Sequence, residues 1–339
     1  MKIKALLLSR IPIFLFLAIA LVSCGGFGKK PHYQADISGI SIDPVSIGRY
    51  EEVLFNLNPY TLREDIDPFI NRFNIFLGDE INTEVGQQQL FDYITDPQTR
   101  ELYLDTKEVW PGVESLEKEL TTAFSYYKYH YPNHPLPTVF TYISGLDFNY
   151  PVKYYENTMV IGLDMYLGKD YHYYPKIGVP AYQTFAMQPP FVAIDVMKML
   201  GEKHLQEVTA MPERFLDFMI YEGKVLYFLD CMLPQHHDTL KIAYSDEQLS
   251  WLQANIGRVW SYFLENEMLY SSDRQIIIKF IGDAPFTAPF TRNAPPRTAA
   301  YIGWQIVREY MKKNQALSLQ DLFREHDSQK ILSHSGFRP

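Results

Sequence analysis

Apolar residues recur with a helical period along most of the chain. Between residues 111 and 131, each of five apolar residues has another of the set three or four positions away: Leu116, Leu120, Ala123, Phe124 and Tyr127. This spacing is typical of a helix that packs one face against a core. Similar patterns predict further helices at residues 61–77, 87–93, 98–109, 190–201, 211–233, 245–270 and 298–313, and a short last helix from residue 318.

Capping residues and a proline indicate where three of these helices begin. Ser245 and Gln248 have the spacing of a capping box, and Ser318 has the same spacing with Asp321. Pro111 suits the first turn of its helix, because a proline there loses no hydrogen bond. We therefore expect helices to open at these three points.

Two stretches have the composition of strands. Residues Thr138–Ile143 and Thr158–Leu163 are rich in β-branched and aromatic side chains, and a polar bend at Glu156-Asn157 precedes the second stretch. We expect them to form a small antiparallel sheet. The predicted fold is α+β and mainly helical, with one globular domain at residues 36–339. A helical N-terminal subdomain at residues 50–131 is a further hypothesis.

The first 23 residues have the pattern of a signal peptide. Lys2, Lys4 and Arg10 give a positive start, and the apolar run Ile11–Val22 is too short to cross a bilayer comfortably. No later run approaches the roughly 18 uninterrupted apolar residues of a membrane-spanning helix. The leader at residues 1–23 is therefore predicted to be cleaved rather than to serve as an anchor.

The leader ends in Leu21-Val22-Ser23-Cys24, which matches the bacterial lipobox. We predict that the Cys24 thiol is acylated and that Cys24 becomes the first residue of the mature protein. Each buried methylene contributes about 0.8 kcal/mol, so two or three acyl chains attach a protein stably to a membrane. Residues 24–35 are predicted to form a flexible tether, in which Lys29 and Lys30 favour a protein that faces the periplasm.

Net charge and cysteine content restrict the partners and the cysteine chemistry that this protein can have. The formal net charge is −9, and the leader carries three cations and no acid, so the mature chain would carry −12. Such an acidic chain is a poor partner for nucleic acid. The chain has two cysteines, and acylation of Cys24 leaves Cys231 without a partner within it. We expect no internal disulfide and a buried, unreactive Cys231 thiol.

Common catalytic motifs are missing from the sequence. It contains neither a glycine-rich loop that ends in Lys-Ser or Lys-Thr nor a Gly-x-Ser-x-Gly turn. Nucleotide chemistry and serine hydrolase chemistry are therefore unsupported. No cofactor and no small-molecule ligand is predicted.

The histidines do not form a convincing metal site in the sequence. His130 and His134 have the spacing of two ligands, but Pro132 lies between them and breaks the helix that would align them. His236-His237 is predicted to be a solvated turn, and His204 is predicted to stand at the end of its helix. We therefore predict no metal.

Glu222 lies in a helix that follows a β segment and another helix, which is the order found around zinc in gluzincin peptidases. In those enzymes the earlier helix carries His-Glu-x-x-His, which supplies two ligands and the base. Here the earlier helix, Phe191–Leu200, contains no histidine. A degenerate zincin-like (gluzincin-like) core is a hypothesis, but hydrolysis at this site is not expected.

Four stretches resemble the gliding motility lipoprotein GldB family. They are Ile161–Asp170, Tyr221–Tyr227, Ile302–Val307 and Ile331–Ser335. With the lipobox, the resemblance spans nearly the whole mature chain, and it implies an envelope lipoprotein associated with gliding machinery. It also implies a distant similarity to predicted zinc peptidases. It assigns no catalytic residue, since His-Glu-x-x-His is absent from the sequence.

Polar residues in and near these stretches would line one cleft if the sheet and the helices met as they do in the peptidases. These residues are Asp164, Lys169, Asp170, Glu222 and Arg308. Asp164 also suits a strand exit, where its carboxylate can accept bonds from backbone donors. In the third stretch, Gly303 indicates close packing against a neighbour and Trp304 indicates a large buried area.

The leading interpretation is a noncatalytic, lipid-anchored envelope protein, held at a membrane through Cys24. It would bind other envelope proteins, in gliding motility or related machinery. The alternative is a divergent zinc-dependent peptidase with His204, His130 or the His236-His237 pair as substitute ligands. A third hypothesis, a carbohydrate- or peptidoglycan-binding module, rests on the tyrosines Tyr171, Tyr173 and Tyr174.

Overall fold

Helices make up most of the structure. The computed structural model describes residues 35–339, so the predicted signal peptide, Cys24 and the tether up to residue 34 lie outside the described residues. The helices are α1 (Tyr50–Leu54), α2 (Leu62–Ile66), α3 (Asn74–Leu77), α4 (Glu84–Thr95), α5 (Pro97–Val109), α6 (Glu114–His130), α7 (Val192–Val208), α8 (Phe215–Met232), α9 (Asp238–Ile242), α10 (Asp246–Glu265), α11 (Arg274–Ile281), α12 (Thr298–Lys313), α13 (Leu319–Arg324) and α14 (Ser328–Ser335).

The sheet is mixed, which corrects the antiparallel prediction. Its strands are β1 (Ile47–Arg49), β2 (Thr138–Tyr142), β3 (Val152–Tyr155) and β4 (Thr158–Gly162), in the order β1-β2-β4-β3. The first three in that order are parallel, and β3 pairs antiparallel with β4. The two predicted strands run parallel because β3 forms a hairpin on the far side of β4. The α+β fold class is confirmed as mainly helical with a small sheet.

The β3–β4 hairpin closes at the predicted polar bend. Glu156 and Asn157 both adopt positive φ values, 44° and 61°, as a tight two-residue hairpin turn requires. The strand β3 has only four residues, two of which are exposed, so its composition was only weak evidence for a strand.

Several helix boundaries differ from the predictions. Residues 61–77 do not form one helix but divide into α2, α3 and short 3-10 turns, because Pro68 lacks an N–H and restricts the residue before it. The helix predicted at 245–270 ends at Glu265, shortly before Glu267 adopts a left-handed φ of 53°. Pro111 lies outside α6, which begins at Glu114, and α7 continues beyond Gly201 to Val208.

Both predicted capping boxes are confirmed. The Ser245 hydroxyl accepts the Gln248 N–H at 3.2 Å, and the Gln248 side chain accepts the Ser245 N–H at 3.0 Å. Ser318 and Asp321 exchange the same pair of bonds at the start of α13. Each box satisfies N–H groups that the first turn of a helix leaves without partners.

The core is built around α8, whose residues from Gly223 to Met232 are all buried. It packs against α7 and crosses α12 very closely, because Gly223 and Gly303 face the opposite backbone. A Cβ added to Gly303 would lie 1.8 Å from the Met219 carbonyl oxygen. The close approach predicted at Gly303 and the burial predicted for Trp304 are both confirmed.

The described residues, 35–339, all belong to one compact unit, and a separate subdomain at residues 50–131 stays a prediction. Within residues 35–339, no helix combines the length and the apolar character needed to cross a bilayer.

Candidate functional site

A cavity of about 430 Å³ lies where the approach to β3, the loop after β4, the first turns of α7, the end of α9 and the loop before α12 meet. Its volume lies in the range of ligand-binding pockets. Aromatic side chains form much of its wall, namely Phe148, Tyr166, Tyr182, Phe185 and Phe191. The charged side chains that line it are Asp195, Lys198, Lys241, Asp283 and Arg297.

Asp195 stands in the first turn of α7 and faces this cavity. The Tyr166 hydroxyl donates a bond of 2.7 Å to its Oδ2 atom. Burial raises the pKa of the Asp195 carboxyl to about 6, and the bond from Tyr166 and the positive charge of Lys198 oppose that change. Among residues 35–339, no lysine, arginine or histidine nitrogen lies within 4.0 Å of this carboxylate.

Arg297 connects the cavity to Glu222. Its guanidinium donates a bond of 3.0 Å to Glu222 Oε2 and lies 3.8 Å from Asp283 Oδ1. Arg297 precedes α12 with a left-handed φ of 52°, and its side chain is 14% exposed. Glu222, from the middle of α8, is therefore paired with a fixed positive charge.

Arg308 belongs to a network of buried charges around Asp230. The Asp230 carboxylate accepts bonds from Lys241 Nζ at 2.8 Å, from Trp304 Nε1 at 2.8 Å and from two nitrogens of the Arg308 guanidinium at 2.7 Å. The same guanidinium bonds to Asp238 and lies over the Trp304 ring, 3.7 Å from its centroid. This arrangement holds α8, α9 and α12 together.

Asp164 fills the structural role predicted for it at a strand exit. Its carboxylate accepts the Ser144 N–H at 2.8 Å, the Leu146 N–H at 2.7 Å and the Ser144 hydroxyl at 3.0 Å. Burial raises the pKa of the Asp164 carboxyl, and these bonds oppose that change. The bonds also hold Leu146, which has a left-handed φ of 64°.

The five residues predicted to share a cleft have different surroundings. Lys169 and Asp170 form an exposed ion pair of 3.3 Å, whereas Asp164, Glu222 and Arg308 bond to the separate groups described above. None of the five is among the residues that line the cavity. Their action as one site stays a prediction.

The candidate substitute ligands have other partners. His204 lies inside α7 rather than at its end, bonds to the Tyr127 hydroxyl at 2.8 Å and stacks on Tyr131. Burial lowers the pKa of His204 to about 4, with the nearby His134 adding to the effect. His236 Nε2 lies 2.6 Å from a Glu119 oxygen and its side chain is 19% exposed, so the prediction of a solvated turn is wrong at this residue. His237 caps α9, and its ring nitrogen accepts the Thr239 N–H.

Across residues 35–339, the one group of three side chains close enough to share a metal ion is Glu101, Asp105 and His172. Their ligand atoms lie within 4.8 Å of one another on the surface near α5. This group includes none of the histidines proposed as zinc ligands.

The tyrosines behind the carbohydrate hypothesis bond within the protein. Tyr171 donates to Asp105 at 2.7 Å and Tyr173 donates to Glu101 at 2.8 Å. Tyr174 is buried and donates to the Asp164 carbonyl at 3.1 Å. Carbohydrate binding therefore stays a prediction without support from these contacts.

Asp195 and Arg297 are not among the site residues predicted from the sequence. The single acid in the largely apolar run Phe191–Leu200 was the available signal for Asp195. Arg297 lies 75 residues from Glu222 in a proline-rich loop, so their contact depends on the crossing of α8 and α12.

A protein family described as gliding motility protein GldB matches residues 30–339. No curated protein matches the chain, and no solved structure matches it either. The match covers nearly everything that follows the predicted leader, and the description of the family names no enzymatic activity. The chain therefore belongs to the GldB family of gliding motility lipoproteins.

Proposed function

We propose that this protein is a noncatalytic, lipid-anchored component of the cell envelope that binds other proteins in gliding motility or related envelope machinery. Family membership supports the setting. Acyl chains on Cys24 would attach the folded body to a membrane, with the basic tether favouring the periplasmic side. The pairing of Glu222 with Arg297 supports the absence of zinc-dependent catalysis.

The contact between Arg297 and Glu222 carries this proposal. In a gluzincin peptidase, a glutamate on the second helix faces zinc, and here the corresponding carboxylate bonds to a guanidinium at 3.0 Å. A metal ion would have to displace this cation and would then meet at most two carboxylates, those of Glu222 and Asp283. Zinc sites in enzymes use three protein ligands, so the remaining donors are too few.

We also propose that the core is a degenerate gluzincin-like one. The order of β4, α7 and α8 agrees with that arrangement, and α7 packs against α8. The first turns of α7 carry Asp195 and Lys198, neither of which is a zinc-binding histidine. The remaining cavity would then serve binding rather than hydrolysis.

Metal analysis of the purified full-length lipoprotein in detergent tests the proposal against the zinc peptidase alternative. We expect no zinc whose binding depends on Glu222 in the wild-type protein, even after incubation with zinc and removal of the excess, because Glu222 is already paired with Arg297. The variants Glu222→Ala and Glu309→Gln should give the same result. One zinc per chain that is lost in Glu222→Ala and kept in Glu309→Gln would instead support a peptidase.

A further inference from the structure

The cavity contains a carboxylate that lacks a cationic partner. Asp195 receives one hydrogen bond, from the neutral Tyr166 hydroxyl, and its Oδ1 atom accepts none from the described residues. Burying a carboxylate without a counter-charge is costly, and the raised pKa of Asp195 reflects that cost. A ligand that brought a positive charge to Oδ1 would remove most of this penalty.

The positive side chains that line the cavity already have acidic partners. Lys241 bonds to Asp230 at 2.8 Å, and Arg297 bonds to Glu222 at 3.0 Å. Lys198 has the weakest of these pairs, because its Nζ atom lies 3.8 Å from Glu202. In this cavity the Asp195 carboxylate therefore lacks an ion-pair partner, whereas each positive side chain already has a carboxylate beside it.

The walls of the cavity suit the aliphatic stem of a basic side chain. Tyr166, Tyr182 and Phe185 line the same cavity as Asp195, and such rings bind both methylene groups and cations. The volume of about 430 Å³ has room for one such side chain and its apolar neighbours. A mature chain of charge −12 would also attract a basic partner from a distance.

We propose that the cavity binds a lysine or arginine side chain from an extended, otherwise apolar segment of a protein partner, with Asp195 as its counter-ion. This inference rests on the proposed function, in which the protein acts by binding other proteins, and it names the chemistry of the partner. Metal analysis tests the zinc peptidase alternative, and mass spectrometry of the N-terminal peptide tests the lipid anchor. A failure of the cavity to bind a basic side chain can therefore be distinguished from a failure of the proposed function.

Isothermal titration calorimetry of the full-length protein in detergent tests the proposal with three peptides: acetyl-Leu-Lys-Leu-amide, its norleucine analogue and its glutamate analogue. We expect the lysine peptide to bind saturably and the other two to bind at least tenfold more weakly. Asp195→Asn keeps the shape of the side chain and removes its charge, so it should weaken binding of the lysine peptide at least tenfold. Glu309→Gln removes an exposed carboxylate from α12 and should change nothing.

Two further measurements keep the proposal falsifiable if Asp195→Asn folds poorly. Lys198→Met removes the cation that stabilises the Asp195 carboxylate, so it should tighten binding of the lysine peptide. Binding to the wild-type protein should weaken as the pH falls from 7 to 5, because Asp195 becomes protonated. The other ionisable groups that line the cavity or act on this carboxyl include no histidine; they are Tyr166, Tyr182, Lys198, Glu202, Lys241, Asp283 and Arg297.

Three outcomes would overturn the proposal. The first is no saturable binding of the lysine peptide, and the second is equal binding to the wild type and a folded Asp195→Asn variant. The third is binding of cadaverine alone as tightly as the lysine peptide, since that would assign the cavity to a small amine rather than to a protein segment.

Discussion

Replacement of Asp230 by asparagine is expected to lower the free energy of unfolding by about 3–5 kcal/mol. The Asp230 carboxylate, whose side chain is 3% exposed, accepts bonds from Lys241 and Arg308. Asparagine keeps the size and removes the charge, so the buried ammonium of Lys241 loses the carboxylate to which it is bonded. Denaturant unfolding followed by circular dichroism measures the loss.

A neighbouring aspartate provides the matched control. Asp238 also bonds to Arg308, but its side chain is 27% exposed, so Asp238→Asn should cost clearly less than Asp230→Asn. Adding Lys241→Met to Asp230→Asn should restore part of the stability, because the second change removes the stranded cation. If the two single variants instead lost equal free energies of unfolding and the double variant recovered none, the result would show that the charge network around Asp230 does not stabilise this region.

The variant Gly303→Ala is expected to lower the free energy of unfolding by about 3 kcal/mol. A Cβ at this position would lie 1.8 Å from the Met219 carbonyl oxygen, so the backbones of α8 and α12 would have to separate. Since these two helices contain much of the core, the separation would disturb packing on both sides. The shift of the thermal unfolding midpoint measures the effect.

Gly257, another glycine inside a helix, is expected to gain stability when it is replaced by alanine. Gly257 lies inside α10, where a Cβ would meet its nearest atom, the Pro339 carbonyl oxygen, at 3.4 Å. Gly257→Ala should therefore raise the stability by up to about 1 kcal/mol, through the better helix propensity of alanine. If both alanine variants shifted the midpoint by the same amount, the close crossing at Gly303 would not be the cause.

The local parts of the fold could be predicted from the sequence. The capping boxes at Ser245 and Ser318 depend on residues three positions apart, and the α6 stripe depends on spacings of three and four. Such signals act over one or two turns. Where a proline interrupts the pattern, as Pro68 does, the periodicity alone predicted too long a helix.

The arrangement of the sheet could not be predicted in the same way. The composition of β2 and β4 showed that they are strands but did not show their relative direction. That direction depends on β3, whose four residues include the exposed Lys153 and Tyr155 and lack an apolar run. The parallel pairing of β1 with β2 joins residues about 90 positions apart, for which no local signal exists.

The candidate site was only partly predictable, for a similar reason. Glu222 stood out because of its position in the order of strand and helices, but its partner Arg297 comes from a distant loop. Asp164 was correctly expected to bind backbone donors, since that role is local to a strand exit. The significance of Asp195 depends on the cavity around it, which the sequence does not reveal.

The proposed function depends most on Cys24 holding the protein to a membrane, and mass spectrometry of the N-terminal peptide tests this directly. The protein should be purified from salt-washed membranes of cells that express the full chain. The account predicts a mature N-terminus at Cys24 whose mass includes a diacylglyceryl group, and loss of the protein from that membrane fraction in Cys24→Ala. An unmodified peptide that contains Ser23 and Cys24, or a Cys24→Ala variant that stays with the washed membranes, would contradict it.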